Sequence, residues 1–264
     1  MKVLAYPTDA SGWSEDLTVF HEDTAGDDHY IDRASRQQAL DSLFAYLRSA
    51  TPTVMDIGCS SGFMLRLLRE RYPNATVLGA DYICGPLYHL ATQILGIPLF
   101  QFDLTRCPLP EASLDAVVLL NVLEHIEDDV AAIAHLFRIL KPGGVAVIEV
   151  PAGPELFDVY DHQLMHHRRY RMPELVQKLE AAGLCAQQKS HLGCFLYPGF
   201  WIVKRWGRRH LKRDDKIQRR IVADRIKTGR ASRLLSAVMS AEGALRKRIY
   251  YPFGIRCLVT CIKP

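Results

Sequence analysis

Long apolar runs are missing from this sequence. None of the 264 residues lies in an apolar stretch approaching the roughly 20 residues that a helix needs to span a bilayer. The amino-terminal segment, MKVLAYPTDA, contains too short an apolar run for a secretory signal. We therefore expect a cytoplasmic protein, and peripheral contact with the inner face of the membrane is left open.

Cysteine is scattered rather than patterned. The chain has seven cysteines, an odd number, and no Cys-x-x-Cys pair. This argues against the disulfide framework of a small secreted domain and against a zinc site built on a cysteine pair. Cys257 and Cys261 lie in an apolar run, and we expect them to be buried small hydrophobic residues. With 48% hydrophobic residues, the chain can build the core of one large domain, with or without an elaborated end.

Two common phosphate-binding motifs are also absent from the stretch Thr53–Phe63, TVMDIGCSSGF. No Lys followed by Ser or Thr comes after Gly62, which excludes a P-loop. The dinucleotide fingerprint G-x-G-x-x-G would need glycine where Ser60 and Phe63 stand. What is present is a strand that turns through small residues into a helix, where backbone N–H groups can approach a ligand closely. Asp56, before the turn, suits a cationic nucleoside without phosphate better than it suits a pyrophosphate.

Strand-like and helix-like segments alternate along most of the chain, which predicts a doubly wound, mostly parallel seven-stranded α/β sheet with ligands at the carboxyl ends of the strands. The predicted strands are 53–56, 75–81, 99–104, 116–120, 145–150, 185–191 and 255–262. The predicted helices are 31–50, 63–71, 86–96, 129–140 and 173–182. Lys141–Gly144, KPGG, is interpreted as a helix stop with glycine in the C-cap position.

A second acidic residue, Asp81, ends the second predicted strand. At that place in a strand–helix–strand unit, a carboxylate can accept hydrogen bonds from both ribose hydroxyls of a nucleoside. The alternative is an exposed loop aspartate. The paired placement of Asp56 and Asp81 after consecutive strands favours ribose binding.

Several motifs carry a resemblance to a known family. Asp56, Gly58 and Gly62 match (D/E)-x-G-x-G-x-G, the S-adenosylmethionine site of class I methyltransferases, while Ser60 departs from it at the middle glycine. LNVLEHI at 120–126, RILKPGG at 138–144 and a strand ending in Pro151 resemble the ubiquinone/menaquinone-type members of that family. The resemblance covers about Thr53 to Gly183, half of the chain.

The resemblance implies S-adenosylmethionine as cofactor. It also implies that Asp103 accepts from the adenine amino group, with Leu104 or Phe102 beside the ring, and that Tyr82 and Asn121 belong to the cofactor site. The lack of N-P-P-(Y/F/W) at 121–124 argues against a methyltransferase acting on adenine or glutamine nitrogen. These motifs say little about the methyl acceptor.

The loop 161–171, DHQLMHHRRYR, resembles the D-x-x-x-x-H-x-R-R-Y loop of a bacterial subgroup of unassigned substrate. We predict that it holds the catalytic residues, with His166 as general base. Asp161 is predicted to orient this base, and Tyr170 is predicted to be a further catalytic side chain. Arg168 or Arg169 could clamp an anionic acceptor, and His125 is the competing candidate for the base. No metal site is predicted, because no cysteine or carboxylate spacing supports the three histidines. The alternative is that these polar groups only bond one another.

The segment 192–254 is predicted to be a basic, aromatic helical insertion before the last strand. Lys204–Arg233 holds thirteen Lys or Arg against three Asp, a charge of +10, so the rest of the chain carries −6. One hypothesis is that this segment caps the active site. The other is that residues 195–233 bind an anionic membrane surface or an anionic ligand. Binding to nucleic acid is a weaker hypothesis. Residues 1–30 are predicted to be an irregular lead-in or lid, and His29, Arg33 and Arg36 are candidates to face the cofactor carboxylate.

The sequence therefore predicts an enzyme that transfers a methyl group to oxygen or nitrogen of an unidentified acceptor. That acceptor is a small molecule, a lipid-linked group or a saccharide. The alternative is a catalytically silent subunit that keeps the fold, which the intact acidic strand ends disfavour. A dinucleotide-dependent dehydrogenase is the third hypothesis, and the spacing of the glycines disfavours it.

Overall fold

One sheet organises the computed structural model, which describes residues 3–6, 8, 29–230, 233–246 and 248–264. Within these residues the strands are β1 (Val3–Ala5), β2 (Thr53–Ile57), β3 (Thr76–Asp81), β4 (Leu99–Gln101), β5 (Leu114–Leu120), β6 (Leu140–Pro151), β7 (Cys185–Leu192) and β8 (Arg256–Ile262). Their order across the sheet is β1-β4-β3-β2-β5-β6-β8-β7. Only the β6–β8 and β8–β7 pairings are antiparallel, so the predicted mostly parallel α/β fold is confirmed.

The described helices lie between these strands. They are α1 (Tyr30–Tyr46), α2 (Phe63–Arg71), α3 (Cys84–Gln93), α4 (Asp129–Ile139), α5 (Val159–Gln163), α6 (Met172–Ala181), α7 (Tyr197–Gly207), α8 (Asp215–Arg230) and α9 (Arg233–Leu245). None of the helices in the described part of the chain is long and apolar enough to cross a membrane.

The central strands are apolar on both faces because helices cover both faces of the sheet. In β5, Val117 and Leu119 pack into the core on one face, while Ala116 and Val118 pack into the core on the other. Cys257 and Cys261 are buried in the first of these cores, as predicted from their apolar run.

Two predicted boundaries are wrong. Lys141–Gly144 does not cap a helix: α4 ends at Ile139, and Leu140 already pairs with Leu114 as the first residue of β6. Gly143, with φ +76°, makes a turn whose N–H donates to the Lys263 carbonyl. The third predicted strand stops at Gln101, because the Asp103 side chain caps a short 3-10 turn instead.

The amino-terminal lead-in contains more structure than predicted. Val3–Ala5 forms an edge strand that pairs in parallel with Leu99–Gln101, which adds an eighth strand to the seven predicted. Residues 9–28, on which the lid prediction falls, lie outside the described residues.

Three helices, α7 to α9, separate β7 from β8 in the described residues. Glu242 on α9 forms hydrogen bonds with the segment that follows β7. Its two carboxylate oxygens accept from the backbone N–H groups of Gly193 at 2.6 Å and Phe195 at 2.9 Å. Val222 on α8 packs against Val159 on α5. We call α7–α9 the cap, since side chains of α7 lie over the carboxyl ends of the strands.

Candidate active site

A large cavity opens at the carboxyl ends of the parallel strands, beneath the cap. Its volume is about 1330 Å³. Pockets for a single small ligand are typically about 300–1,000 Å³, so this one has room for more than one molecule. One side is formed by the turns after β2, β3, β4 and β5, and the other by the cap, the 161–171 loop and the start of β8.

The turn after β2 is built as the small residues predict. Gly58 has φ +80°, and a Cβ there would lie 2.4 Å from Val122 Cγ2, so only glycine fits. Ser60, which replaces the middle glycine of the motif, takes the left-handed conformation with φ +44°. Its N–H donates to Asp81 Oδ2 at 3.0 Å, which holds the turn. Gly62 begins α2 with φ +74° and packs against α3, but it does not line the cavity.

Three acidic residues at strand ends, Asp56, Asp81 and Asp103, line the cavity together. Asp56 is buried, and burial raises the pKa of its carboxyl to about 7, with the neighbouring Asp81 charge adding to the effect. Asp81 Oδ1 accepts from the N–H of Ile83, and Asp103 Oδ1 accepts from the N–H of Thr105. Asp81 and Asp103 each hold a turn in this way, and an ionised carboxylate can accept about four hydrogen bonds in all.

The remaining predicted cofactor residues also line this side of the cavity: Tyr82, Phe102, Leu104 and Asn121. Asn121 has φ +56°, a left-handed conformation that asparagine tolerates better than most residues. His29 and Arg36 line the cavity as well, whereas Arg33 does not.

His166 lines the cavity, and Asp161 holds its ring from behind. His166 Nδ1 lies 2.9 Å from Asp161 Oδ1. Burial lowers the pKa of His166, against the opposing effect of Asp161, and favours the neutral ring. A carboxylate only accepts hydrogen bonds, so Nδ1 carries the proton and Nε2 has a free lone pair.

Asp161 itself is fully buried and does not line the cavity. Lys204 Nζ lies 2.9 Å from its Oδ2, and Arg169 Nε lies 2.7 Å from its Oδ1. Burial raises the pKa of Asp161, but the charges of Lys204 and Arg169 outweigh this and hold it well below its ordinary value. Asp158 accepts from the same lysine at 2.7 Å. Asp161 is therefore a positioning residue that links the loop, α5 and the cap.

Tyr170 is placed differently from the catalytic role predicted for it. It is 0% exposed and does not line the cavity. Its hydroxyl donates to Asp129 Oδ2 at 2.8 Å, and burial, followed by the neighbouring Asp129 carboxylate, raises the pKa of Tyr170 above its ordinary value. The prediction for Tyr170 is corrected to a structural role, because the tyrosine ring packs into the core.

Replacing Tyr170 by phenylalanine should lower the free energy of unfolding by about 1 kcal/mol, the usual net worth of one hydrogen bond. Asp129 would keep its ion pairs with Lys178 and Arg168, so no buried charge is left alone. Urea unfolding monitored by circular dichroism measures the change. An unchanged midpoint and slope would contradict the structural role.

The two arginines proposed as an anion clamp differ. Arg168 pairs with Asp129 at 2.9 Å and does not line the cavity, so the clamp prediction is wrong for it. Arg169 lines the cavity but donates to Asp161 and to the Ala152 carbonyl. Sequence reasoning missed a further cation, Arg256, which reaches the cavity and bonds Glu149 Oε1 at 2.9 Å.

Glu124 is a further missed residue, and the motif LEHI was the signal for it. It is 0% exposed, it lines the cavity, and burial raises the pKa of its carboxyl to about 8. The His125 ring, beside it in sequence, meets the His166 ring edge-on with 4.6 Å between centroids. The loop and the segment after β5 therefore form one wall of the cavity.

The cap contributes the apolar part of the cavity. Its lining side chains from α7 and the residue before it are Leu196, Phe200 and Val203. The same helix turns other apolar side chains outward: Trp201, Ile202 and Trp206 are 42%, 53% and 64% exposed. The helix α7 thus has one face toward the cavity and one toward the surface.

Comparison with known proteins adds independent findings. A family model described as a methyltransferase domain matches residues 55–148. A protein of Mycolicibacterium smegmatis, named as a probable S-adenosylmethionine-dependent methyltransferase, is 31% identical over 150 residues, 56% of this chain and 57% of that protein. A demethylmenaquinone methyltransferase of Thermus thermophilus is 30% identical over 115 residues, 41% of this chain and 52% of that protein. The chain spans about half the length of the curated relatives it matches.

Among solved structures, the cyclase SpnF is similar to this chain with a TM-score of 0.62 and 16% sequence identity. The similarity covers 100% of this chain and 99% of that one. At this identity the likeness shows the fold alone.

Proposed function

We propose that this chain, which is similar to S-adenosylmethionine-dependent methyltransferases, transfers the methyl group of that cofactor to an oxygen or nitrogen atom of an acceptor held under the cap. The observation that carries this proposal is the single cavity shared by two sets of residues. Asp56, Asp81 and Asp103 line one side of it, and His166 lines the other.

The residues fit the cofactor. Asp56 is a buried carboxylate facing the cavity, and a cationic amine would offset the cost of ionising it. Asp81 would accept from the ribose hydroxyls and Asp103 from the adenine amino group. When bound, S-adenosylmethionine supplies a methyl group on a positively charged sulfur.

The residues on the other side act on the acceptor. His166 Nε2 would take the proton that a hydroxyl or a neutral amine loses as its lone pair forms the bond to the methyl carbon, while the electrons of the carbon–sulfur bond return to sulfur. Asp161 would keep the ring in the required tautomer. The cap would exclude water and hold the acceptor in line, and such positioning can supply about 7–11 kcal/mol.

The acceptor would have an apolar body and a polar reacting end, because the cap lines the cavity with apolar side chains while the nearly buried polar side chains of His166 and Arg169 line it elsewhere. Lipid-linked and aromatic small molecules fit this description better than a free sugar. Incubating the protein with methyl-labelled S-adenosylmethionine and cell extract, then separating lipid, saccharide, small-molecule and macromolecular fractions, tests the proposal. Label in one fraction supports it.

A catalytically silent subunit is the alternative, and the cyclase of the same fold shows that the fold alone does not guarantee methyl transfer. Such a subunit would bind S-adenosylmethionine in calorimetry and label no fraction. If the protein binds no cofactor at all, the proposed cofactor site is wrong.

Cofactor binding should depend on pH through Asp56. Its raised pKa of about 7 means that it is mostly protonated at pH 6.0 and mostly ionised at pH 7.5. If the cofactor amine binds only the ionised form, affinity at pH 6.0 should be about fivefold lower than at pH 7.5, allowing for the amine's own pKa near 8. Calorimetry with S-adenosylhomocysteine at both pH values measures this.

Asp56→Asn is the matched control for that experiment, because it removes the titrating group and keeps the shape. It should bind weakly and with little dependence on pH. A pH dependence that persists in Asp56→Asn would assign the effect to another group.

We also propose that the outward face of α7 contacts an anionic membrane surface, where an apolar acceptor would be found. Trp201, Ile202 and Trp206 are exposed on it, and Arg205, Arg208 and Arg209 lie on or beside the same helix. Interfacial helices combine aromatic and basic side chains in this way.

Binding to anionic vesicles should therefore be strong at low salt and fall as salt rises, since each basic residue near the surface contributes about 1 kcal/mol of screened attraction. Co-sedimentation with phosphatidylserine-containing vesicles measures it. The double substitution Trp201→Ser and Trp206→Ser should weaken binding. Leu95→Ser should not, because Leu95 is 74% exposed but lies outside the cap. Absence of binding at low salt would leave α7 as a cap alone.

A further inference from the structure

Glu124 is an acidic residue of the cavity whose role the proposed function leaves unexplained. It is fully buried, and among the described residues no group of another residue hydrogen-bonds either carboxylate oxygen. A buried polar group without a partner is rare and costs free energy whether it is charged or neutral, so such a group points to something that binds it.

Two imidazoles lie beside this carboxylate. One ligand atom each from Glu124, His125 and His166 can be chosen so that all three lie within 4.8 Å of one another. Asp161 holds Nδ1 of His166, so Nε2 is the nitrogen that this residue would offer to a ligand. A metal-binding histidine almost always donates its other ring N–H to a carboxylate or carbonyl, and Asp161 fills that place here.

The backbone fixes the two segments against each other. The N–H of His167 donates to the Glu124 carbonyl at 2.8 Å. Arg168 donates to the Glu127 carbonyl at 2.6 Å. These two bonds join the segments on either side of the cluster and hold its residues in place.

We propose that Glu124, His125 and His166 bind a divalent transition-metal cation. Two imidazole nitrogens and one carboxylate oxygen suit Zn²⁺, Co²⁺ or Fe²⁺, whereas Mg²⁺ and Ca²⁺ prefer oxygen ligands alone. Bonds to Zn²⁺ are about 2.0–2.2 Å, so ligand atoms lie at most about 4.4 Å apart, and small side-chain rotations would close the cluster. The carboxylate would give the cation a negative partner inside the protein.

A cation with three protein ligands keeps positions open for another ligand. The cluster lines the cavity, so an oxygen of the acceptor could occupy such a position. A bound hydroxyl loses its proton more readily, because the positive charge stabilises the oxyanion, and the proton would leave to solvent. The cation would then take over from His166 the activation of an oxygen acceptor, a consequence that rests on the proposed function.

The test is a titration of the full chain, freed of metal with a chelator, with Co²⁺ followed by visible absorption and with Zn²⁺ against a chromophoric chelator. About one equivalent should bind tightly. Glu124→Gln and His166→Ala should each weaken Co²⁺ binding by at least about tenfold, since even loss of an outer partner costs about 10–100-fold. His162→Ala is the matched control from the same loop, exposed and outside the cluster, and should bind as the unmodified chain does.

Glu124→Gln changes shape little, and its circular dichroism shows whether the fold is kept. No tight Co²⁺ or Zn²⁺ binding, or binding that neither Glu124→Gln nor His166→Ala weakens, would overturn the proposal. Calorimetry with S-adenosylhomocysteine is run separately. Cofactor binding without cation binding would reject this site and leave the proposed function standing, whereas the reverse result would reject the proposed function alone.

Discussion

Replacing Asp161 by alanine is expected to lower the free energy of unfolding by about 3–5 kcal/mol, the usual cost of removing one partner from a buried ion pair. Asp161 is fully buried and receives the charges of both Lys204 and Arg169. Lys204 would keep its ion pair with Asp158, but Arg169 would lose its ion-pair partner among the described residues. The fall in stability therefore comes from a buried guanidinium that is left without a countercharge.

Denaturant unfolding measures this effect, and an exposed ion pair supplies the comparison. Glu174→Ala breaks the Glu174–Lys178 pair, whose atoms are 3.8 Å apart at the surface, and should change stability by no more than about 0.5 kcal/mol. Arg169→Met added to Asp161→Ala should recover part of the loss, because it removes the unpaired charge. Equal effects of Asp161→Ala and Glu174→Ala would contradict the assignment.

This buried cluster illustrates what sequence could not predict. The loop DHQLMHHRRYR was predicted to be a polar site as a whole, yet Tyr170 faces the core and Arg168 faces Asp129. Side chains in a loop do not alternate between inside and outside with a fixed period, as they do in a strand or a helix. Tertiary packing therefore decides which side chain of the loop faces the cavity. Lys204 lies over forty residues later in sequence, and its pairing with Asp161 depends on how the cap folds back.

The strand ends were predictable for the opposite reason. Parallel strands all end at one edge of the sheet, so Asp56, Asp81 and Asp103 had to lie near each other once the order of strands and helices was known. The same rule applies to Glu124, which follows β5, but no rule of spacing connects it to His166. A metal site was not predicted because no cysteine or carboxylate spacing supported the three histidines, and the fold brings the Glu124 carboxylate to this loop from another segment.

Replacing His166 by alanine is expected to lower turnover by about 10²–10⁴-fold, the usual range for loss of a general base, once an acceptor is identified. Because Asp161 holds Nδ1, Nε2 is the nitrogen of this residue that would act, whether it takes the proton of the acceptor directly or holds a cation that binds the acceptor. Both roles concern the acceptor side, so the affinity for S-adenosylhomocysteine should stay unchanged.

His162→Ala is the control for general damage to the loop, because His162 is exposed in the same loop and outside the cavity wall. It should keep both turnover and cofactor affinity. Added imidazole should partly restore His166→Ala, since the side chain leaves space that a free imidazole can fill, and a merely structural histidine would not respond. A fall in turnover of less than tenfold, or a collapse of cofactor binding together with turnover, would show that His166 supports the fold and that the acceptor is activated by other residues.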